Sequence, residues 1–101
     1  MPFVRVASLS DLEPGQLIHK ELGSLAVAVC NYQGKIFAID GVCPHAGGPL
    51  GCGALNDRFI TCPWHMWGFD CETGQSDISS TVKLDTYEVK VENGQVLVDI
   101  P

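Results

Sequence analysis

Two short segments carry the residues that could do chemistry: Cys43 with His45, and Cys62 with His65, with sixteen residues between His45 and Cys62. A proline follows each cysteine directly, Pro44 and Pro63. Thiolate and imidazole are both metal ligands, and a short loop can turn them toward one point, whereas a flat strand would alternate them across its faces. One Cys and one His per loop allows both thiolates to bind one iron and both imidazoles the other, in a pair of irons bridged by two sulfides. The same four residues could instead close a tetrahedron around one zinc ion. Finger-type zinc spacing, however, pairs the two cysteines first and places two histidines on a helix; here the pairs are mixed and no helix is offered. A blander reading makes these four unrelated polar residues in turns. Two Cys/His pairs, each with a proline, in adjacent glycine-bearing loops weigh against it.

The ligand choice has a chemical consequence. Two ferric ions, two sulfides and two thiolates sum to zero charge, and neutral imidazoles add nothing, so an electron enters more easily than it would with four thiolates. Histidine ligation thereby raises the reduction potential, and imidazoles on the redox-active iron can couple proton loss to oxidation.

The elements that must hold these loops read as short strands with almost no helical periodicity. Phe3 to Val6 is extended, Gln16 to His19 can be a strand, and Leu25 to Cys30 is a continuous apolar run. That run is bounded by Gly23-Ser24 and Asn31-Tyr32-Gln33-Gly34, with Lys35 to Ile39 following at hairpin distance. Ser10-Asp11-Leu12-Glu13 has the Ser-x-x-Glu spacing of a capping box, predicting at most one helical turn before Pro14-Gly15. Residues 41–53 contain five glycines and predict loop rather than regular structure. Arg58 to Thr61 and Met66 to Asp70 read as short strands around the second ligand pair. Tyr87 to Val91 alternates apolar and charged residues, and Asn93-Gly94 turns the chain into Gln95 to Ile100. The expected plan is all-β: one domain over residues 1–101, with a metal-bearing excursion over about 41–75.

On these residues the chain resembles the Rieske family, in particular the small ferredoxins that serve ring-hydroxylating oxygenases. It is similar also to the small-subunit-like Rieske proteins of nitrite reductases. The likeness runs from the early strands through Cys43-Pro-His45, Cys62-Pro-Trp-His65, Phe69 and Thr73-Gly74 to the closing hairpin. It implies an antiparallel β-sandwich base with a small cluster-binding subdomain made by the two ligand loops. One Rieske-type [2Fe–2S] cluster per chain would be held by Cys43, His45, Cys62 and His65, with the histidines near the surface where partners dock. The implied function is a soluble one-electron carrier, itself non-catalytic, between a flavin-dependent ferredoxin reductase and a terminal oxygenase. One alternative is a Rieske subunit of a larger oxidoreductase such as a nitrite reductase. Another, of a different class, is a zinc-stabilised interaction module.

Departures from the family pattern refine the expectation. High-potential respiratory members carry an extra cysteine in each ligand loop, joined as a disulfide; the corresponding positions here are Gly48 and Trp64. Those members also place Ser and Tyr hydroxyls beside the cluster, where this chain has Trp67 and Phe69. Without these donors to the sulfides the potential is expected toward the low end of the Rieske range, about −150 mV rather than +300 mV. Related ferredoxins often carry prolines in the stretch that is Gln75 to Lys83 here, which leaves open how closely this third loop covers the cluster.

Acids outnumber bases twelve to six, for a net charge of −6, which disfavours nucleic acid and anionic membrane surfaces and suits docking to a basic patch. No run approaches the roughly 20 apolar residues of a membrane helix, and the N-terminal MPFVRVASLS has no signal-peptide pattern. Five cysteines, an odd number, fit a disulfide framework poorly, and a reducing cytoplasm is the expected compartment. Cys30 reads as a small buried hydrophobe, and Cys52 and Cys71 as free thiols that could alternatively pair. His19 reads as an ordinary strand histidine. Trp64, Met66, Trp67 and Leu50 could exclude water from the cluster, form an apolar docking rim or simply pack. Gly47-Gly48 could let backbone N–H groups approach the sulfides.

Overall fold

An uninterrupted apolar strand must be covered on both faces, and this is how the run at Leu25 is used. In the computed structural model, which describes residues 3–23, 25–42, 49–63, 67–77 and 82–100, β3 (Leu25–Tyr32) lies inside a four-stranded antiparallel sheet. Its neighbours are β2 (Leu17–Leu22) and β4 (Lys35–Asp40), and β8 (Thr86–Tyr87) adds to the far side of β4. Val27, Ala28, Val29 and Cys30 are all fully buried, and they divide between two cores. Val27 and Val29, with Ala38 of β4, face Val6, Leu12, Val96 and Val98. Ala28 and Cys30, with Ile39, face Leu50, Ile60, Cys62, Phe69, Cys71 and Leu84. The register pairs Val29 with Ala38 and Ala28 with Ile39, so each pair shares a face.

The first core is closed by a second sheet, β1 (Phe3–Ser8), β10 (Gln95–Asp99) and β9 (Val89–Glu92), in the order β1-β10-β9. This pair of sheets is the expected sandwich. The other core is closed by a small sheet of three-residue strands, β5 (Ala54–Asn56), β6 (Phe59–Thr61) and β7 (Gly68–Asp70). Hairpin chemistry sets the registers at two places. Gln33-Gly34 and Asn93-Gly94 take positive φ at both positions (54° and 91°; 51° and 73°), the mirror-image turn that matches strand twist.

Several expectations need correction. The helical turn is a 3₁₀ turn at Leu9–Asp11, with Ser8 rather than Ser10 at its N-cap position and no side-chain cap. The chain cannot propagate a helix there because Leu12 is drawn fully into the sandwich core. Tyr87 to Val91 is two strands, not one: Tyr87 pairs with Ala38 in one sheet, Val89 with Val98 in the other. The alternation is real at Tyr87 and Val89, which pack on the sandwich core, but Val91 beyond them is 44% exposed. Asn31 and Tyr32 extend β3 instead of belonging to the turn. The buried Asn31 amide donates to Leu12 O at 2.8 Å and its side-chain oxygen accepts from Gly34 N–H at 2.8 Å, which fixes both neighbouring turns. Within 41–53 the loop is interrupted by a 3₁₀ turn, Leu50–Cys52, and β5 follows at once.

Candidate metal centre

The stems of the two loops that carry the candidate ligands are pinned side by side. Before the first loop, Gly41 N–H donates to Ala26 O at 2.8 Å. Val42 bridges Pro49 across the loop, and Leu50 N–H donates to Gly41 O at 2.9 Å. The second loop is closed by Cys62 N–H donating to Trp67 O at 2.7 Å, directly beyond the Thr61–Gly68 pair of β6 and β7. Of the four sequence candidates, Cys62 is placed; Cys43, His45 and His65 lie outside the described residues, as do Gly47, Gly48, Trp64 and Met66.

Glycine brings the two stems together. A Cβ on Gly53 would fall 1.8 Å from Thr61 O, and one on Gly51 would fall 2.3 Å from His19 Cα. The exit of the first loop is therefore wedged between β2 and β6, immediately beside Cys62. Cys62 is fully buried against Leu50, Ile60, Phe69 and Cys71. Burial at the closing end of the second loop, with a thiol as the donor atom, fits Cys62 as one ligand of a metal centre.

Phe69 is fully buried, and Trp67 tilts against it with ring centroids 6.4 Å apart. Leu50 is fully buried, so it belongs to the core beneath the loops and cannot form a docking rim. His19 lies on β2 opposite Ala28, with Nε2 3.5 Å from a Glu21 carboxylate oxygen. Among the described residues no cysteine is in a disulfide; Cys52 is exposed, whereas Cys30 and Cys71 turn inward.

One contact between distant segments has no local sequence signal. Asp77 accepts a hydrogen bond from Gly68 N–H through Oδ1 at 3.0 Å, and its own N–H donates to Gly68 O at 2.9 Å. The third loop is closed above it by Ser76 N–H on Val82 O at 3.0 Å and the Gln75–Lys83 bridge. This stretch thus reaches the strand that leaves the second ligand loop without prolines, while its tip, residues 78–81, lies outside the described residues. In sequence Asp77 looks like any turn aspartate, and only the fold brings it to Gly68.

The comparisons with known proteins agree with this frame. The Rieske [2Fe-2S] domain matches residues 2–88. The ferredoxin component of biphenyl 2,3-dioxygenase from Rhodococcus jostii (strain RHA1) is 36% identical over 101 residues, covering 99% of this chain and 94% of that one. The structure of Sphingomonas yanoikuyae B1 ferredoxin superposes with a TM-score of 0.89 at 28% identity, over 99% of this chain and 100% of that one. A complex of reduced oxygenase and oxidized ferredoxin in carbazole 1,9a-dioxygenase contains a chain matching at a TM-score of 0.86 and 31% identity, over 95% of this chain and 91% of that one. These findings choose the two-iron cluster over zinc: the chain belongs to the Rieske [2Fe–2S] family, as an electron-carrying ferredoxin with a Rieske-type cluster.

Proposed function

We propose that Cys43 and Cys62 hold one iron of the cluster and His45 and His65 the other, and that the protein passes single electrons from a flavin-dependent reductase to a terminal oxygenase. The observation that carries the ligand assignment is the pinning of the two loop stems against each other beside the buried Cys62. Residues 41–75 serve, in this reading, as the cluster-binding part of one domain over 1–101. Bound there, the cluster supplies a one-electron couple whose imidazole ligands can exchange protons. The chain's own residues do the rest: Phe69 and Leu50 keep water from the thiolate side, and the Asp77–Gly68 pair steadies the strand behind the second loop.

Trp67 and Phe69 bring no hydroxyl to the sulfides, which supports a potential near about −150 mV within the Rieske range. The oxygenase partner rests on the relatives, among which are ferredoxin components of dioxygenase systems and a ferredoxin bound to its oxygenase. The reductase is the donor such a carrier requires. A net charge of −6 suits partners that present a basic docking patch. Among the described residues no helix is long and apolar enough to cross a membrane, and the free thiols fit a reducing cytoplasm.

The test is a redox titration of wild type and His65→Cys, read by visible absorption and by electron paramagnetic resonance after reduction. His65→Cys should lower the potential and remove the pH dependence contributed by that imidazole; an unchanged titration would strike His65 from the ligand set. Turnover of a dioxygenase reconstituted with reductase should require this protein, and turnover without it would overturn the carrier assignment.

A further inference from the structure

An aspartate stands at each end of β7, and the two are held differently. At the far end Asp70 is ion-paired with Arg58, Oδ2 lying 2.9 Å from Nε and Oδ1 3.2 Å from Nη2. At the end where the strand leaves the second ligand loop stands Asp77, brought back beside it by the Phe69–Ser76 bridge. Its Oδ1 accepts from Gly68 N–H at 3.0 Å, and its own N–H donates to Gly68 O at 2.9 Å. Its Oδ2 lies 2.6 Å from where a Cβ on Gly68 would be, so the missing side chain is what lets the carboxylate close on the backbone. Among the described residues no Lys, Arg or His forms an ion pair with Asp77. We propose that Asp77 is a positioning residue for the second ligand loop and that its unpaired charge holds the reduction potential of the cluster down.

The path from Asp77 to the metal centre is short. Gly68 pairs with Thr61 and follows Trp67, whose carbonyl closes the loop on Cys62 N–H at 2.7 Å. Holding Gly68 N–H therefore fixes the chain one residue from that closing bond and three residues after His65. The inference rests on the ligand set proposed above, because those ligands are what put the cluster at this end of β7.

The two roles of Asp77 separate chemically. Reduction adds one electron, and a fixed negative charge nearby opposes it, so the oxidised form is favoured. Asp77 is exposed, so water weakens its field and added salt weakens it further. The hydrogen bond to Gly68 needs an oxygen acceptor but no charge, and an asparagine side chain supplies the same acceptor. Asp70 provides the control, since its charge lies at the other end of the strand and is already met by Arg58.

The experiment is a redox titration of the cluster-loaded wild type, Asp77→Asn, Asp77→Ala, Asp70→Asn and His65→Cys at low and high salt. Visible absorption follows the titration, and loss of the cluster to a chelator is timed in parallel. Asp77→Asn should shift the reduction equilibrium about two-fold or more toward the reduced form at low salt, and less at high salt. It should lose its cluster at the wild-type rate. Asp77→Ala should show the same shift and lose its cluster several-fold faster, because Gly68 N–H no longer has its acceptor. Asp70→Asn should move the equilibrium less than Asp77→Asn does. An unshifted Asp77→Asn, or an equal shift in Asp70→Asn, overturns the charge role, and an Asp77→Ala cluster as durable as that of wild type overturns the positioning role. An unshifted His65→Cys strikes the ligand reading instead, whatever the Asp77 variants do.

Discussion

The sandwich and the small sheet beneath it are built from the same residue types on different physical terms. The sandwich uses strands of five to eight residues in β1, β2, β3, β4 and β10, and its core is mainly Val with Leu12. The small sheet uses strands of three residues, and its core mixes three cysteines with Leu50, Ile60, Phe69 and Leu84. Glycine shows the contrast most clearly. Gly34 in a sandwich hairpin has φ +91 and open space where a Cβ would be; Gly53 has no positive φ, but its missing Cβ would overlap Thr61 O at 1.8 Å. One is chosen for its backbone angle, the other for the neighbour it lets in. A three-residue strand contributes few ladder hydrogen bonds, so the small sheet relies on close approach to the sandwich, and on the proposed ligand set it is expected to rely on the cluster as well.

The largest effect expected from this contrast follows removal of the cluster by a chelator under reducing conditions. Amide exchange in β5, β6 and β7 should accelerate by about 100-fold or more, while β3 remains protected, because opening free energies differ between cooperative units. Uniform loss of protection in both regions would break the comparison and make the molecule a single cooperative unit.

Next come two alanine substitutions of one chemical size. Gly53→Ala should cost about 3 kcal/mol or more, since a backbone carbonyl cannot step aside, and should lower cluster occupancy as the stems are forced apart. Gly34→Ala should cost about 1 kcal/mol, the strain of a left-handed alanine, and leave the visible spectrum alone. Thermal denaturation with iron content per chain checks both. Equal costs, or cluster loss in Gly34→Ala, would erase the distinction.

These two glycines also mark how far the sequence could be read. The Asn93-Gly94 turn, the apolar run at Leu25 and the Cys/His pairs are local signals, set by φ preference, periodicity and ligand type. The fact that Leu25–Tyr32 serves two cores was implicit in its lack of alternation. Gly53 against Thr61, Gly51 against His19 and Asp77 against Gly68 are contacts between segments, and no local preference encodes them. The Ser10 capping spacing failed because burial of Leu12 overrides a weak local signal. The Tyr87–Val91 alternation described side-chain faces correctly through Val89 but not the switch of sheet at Glu88, where Glu88 O instead accepts from Asp99 N–H at 2.9 Å. For the site, the sequence supplied the candidate ligands and the family, while the structure supplied the pinned stems that lend Cys62 its setting.

The smallest effect concerns two phenols, one on each side of the contrast. Tyr87, where β8 closes onto β4, has its pKa raised first by burial and then by the negative charges of Asp40 and Asp85. Tyr32 is raised first by its hydrogen bond to Asp57, whose carboxylate it reaches at 3.1 Å from the sandwich to the β5–β6 turn. A phenol with a raised pKa holds its proton more tightly folded than unfolded. The stability it contributes is therefore complete below the unfolded pKa near 10 and drains as pH rises through the folded value. Tyr87→Phe should flatten the fall in melting temperature above about pH 10, because the titrating group is gone while the ring still packs. Tyr32→Phe should change that slope less, since water screens an exposed phenol, but it should raise amide exchange in the β5–β6 turn. Melting curves from pH 8 to 11, with exchange measured at Asp57 and Arg58, separate the two tyrosines; a larger alkaline slope change from Tyr32 would place the burial that matters on the small sheet instead of the sandwich.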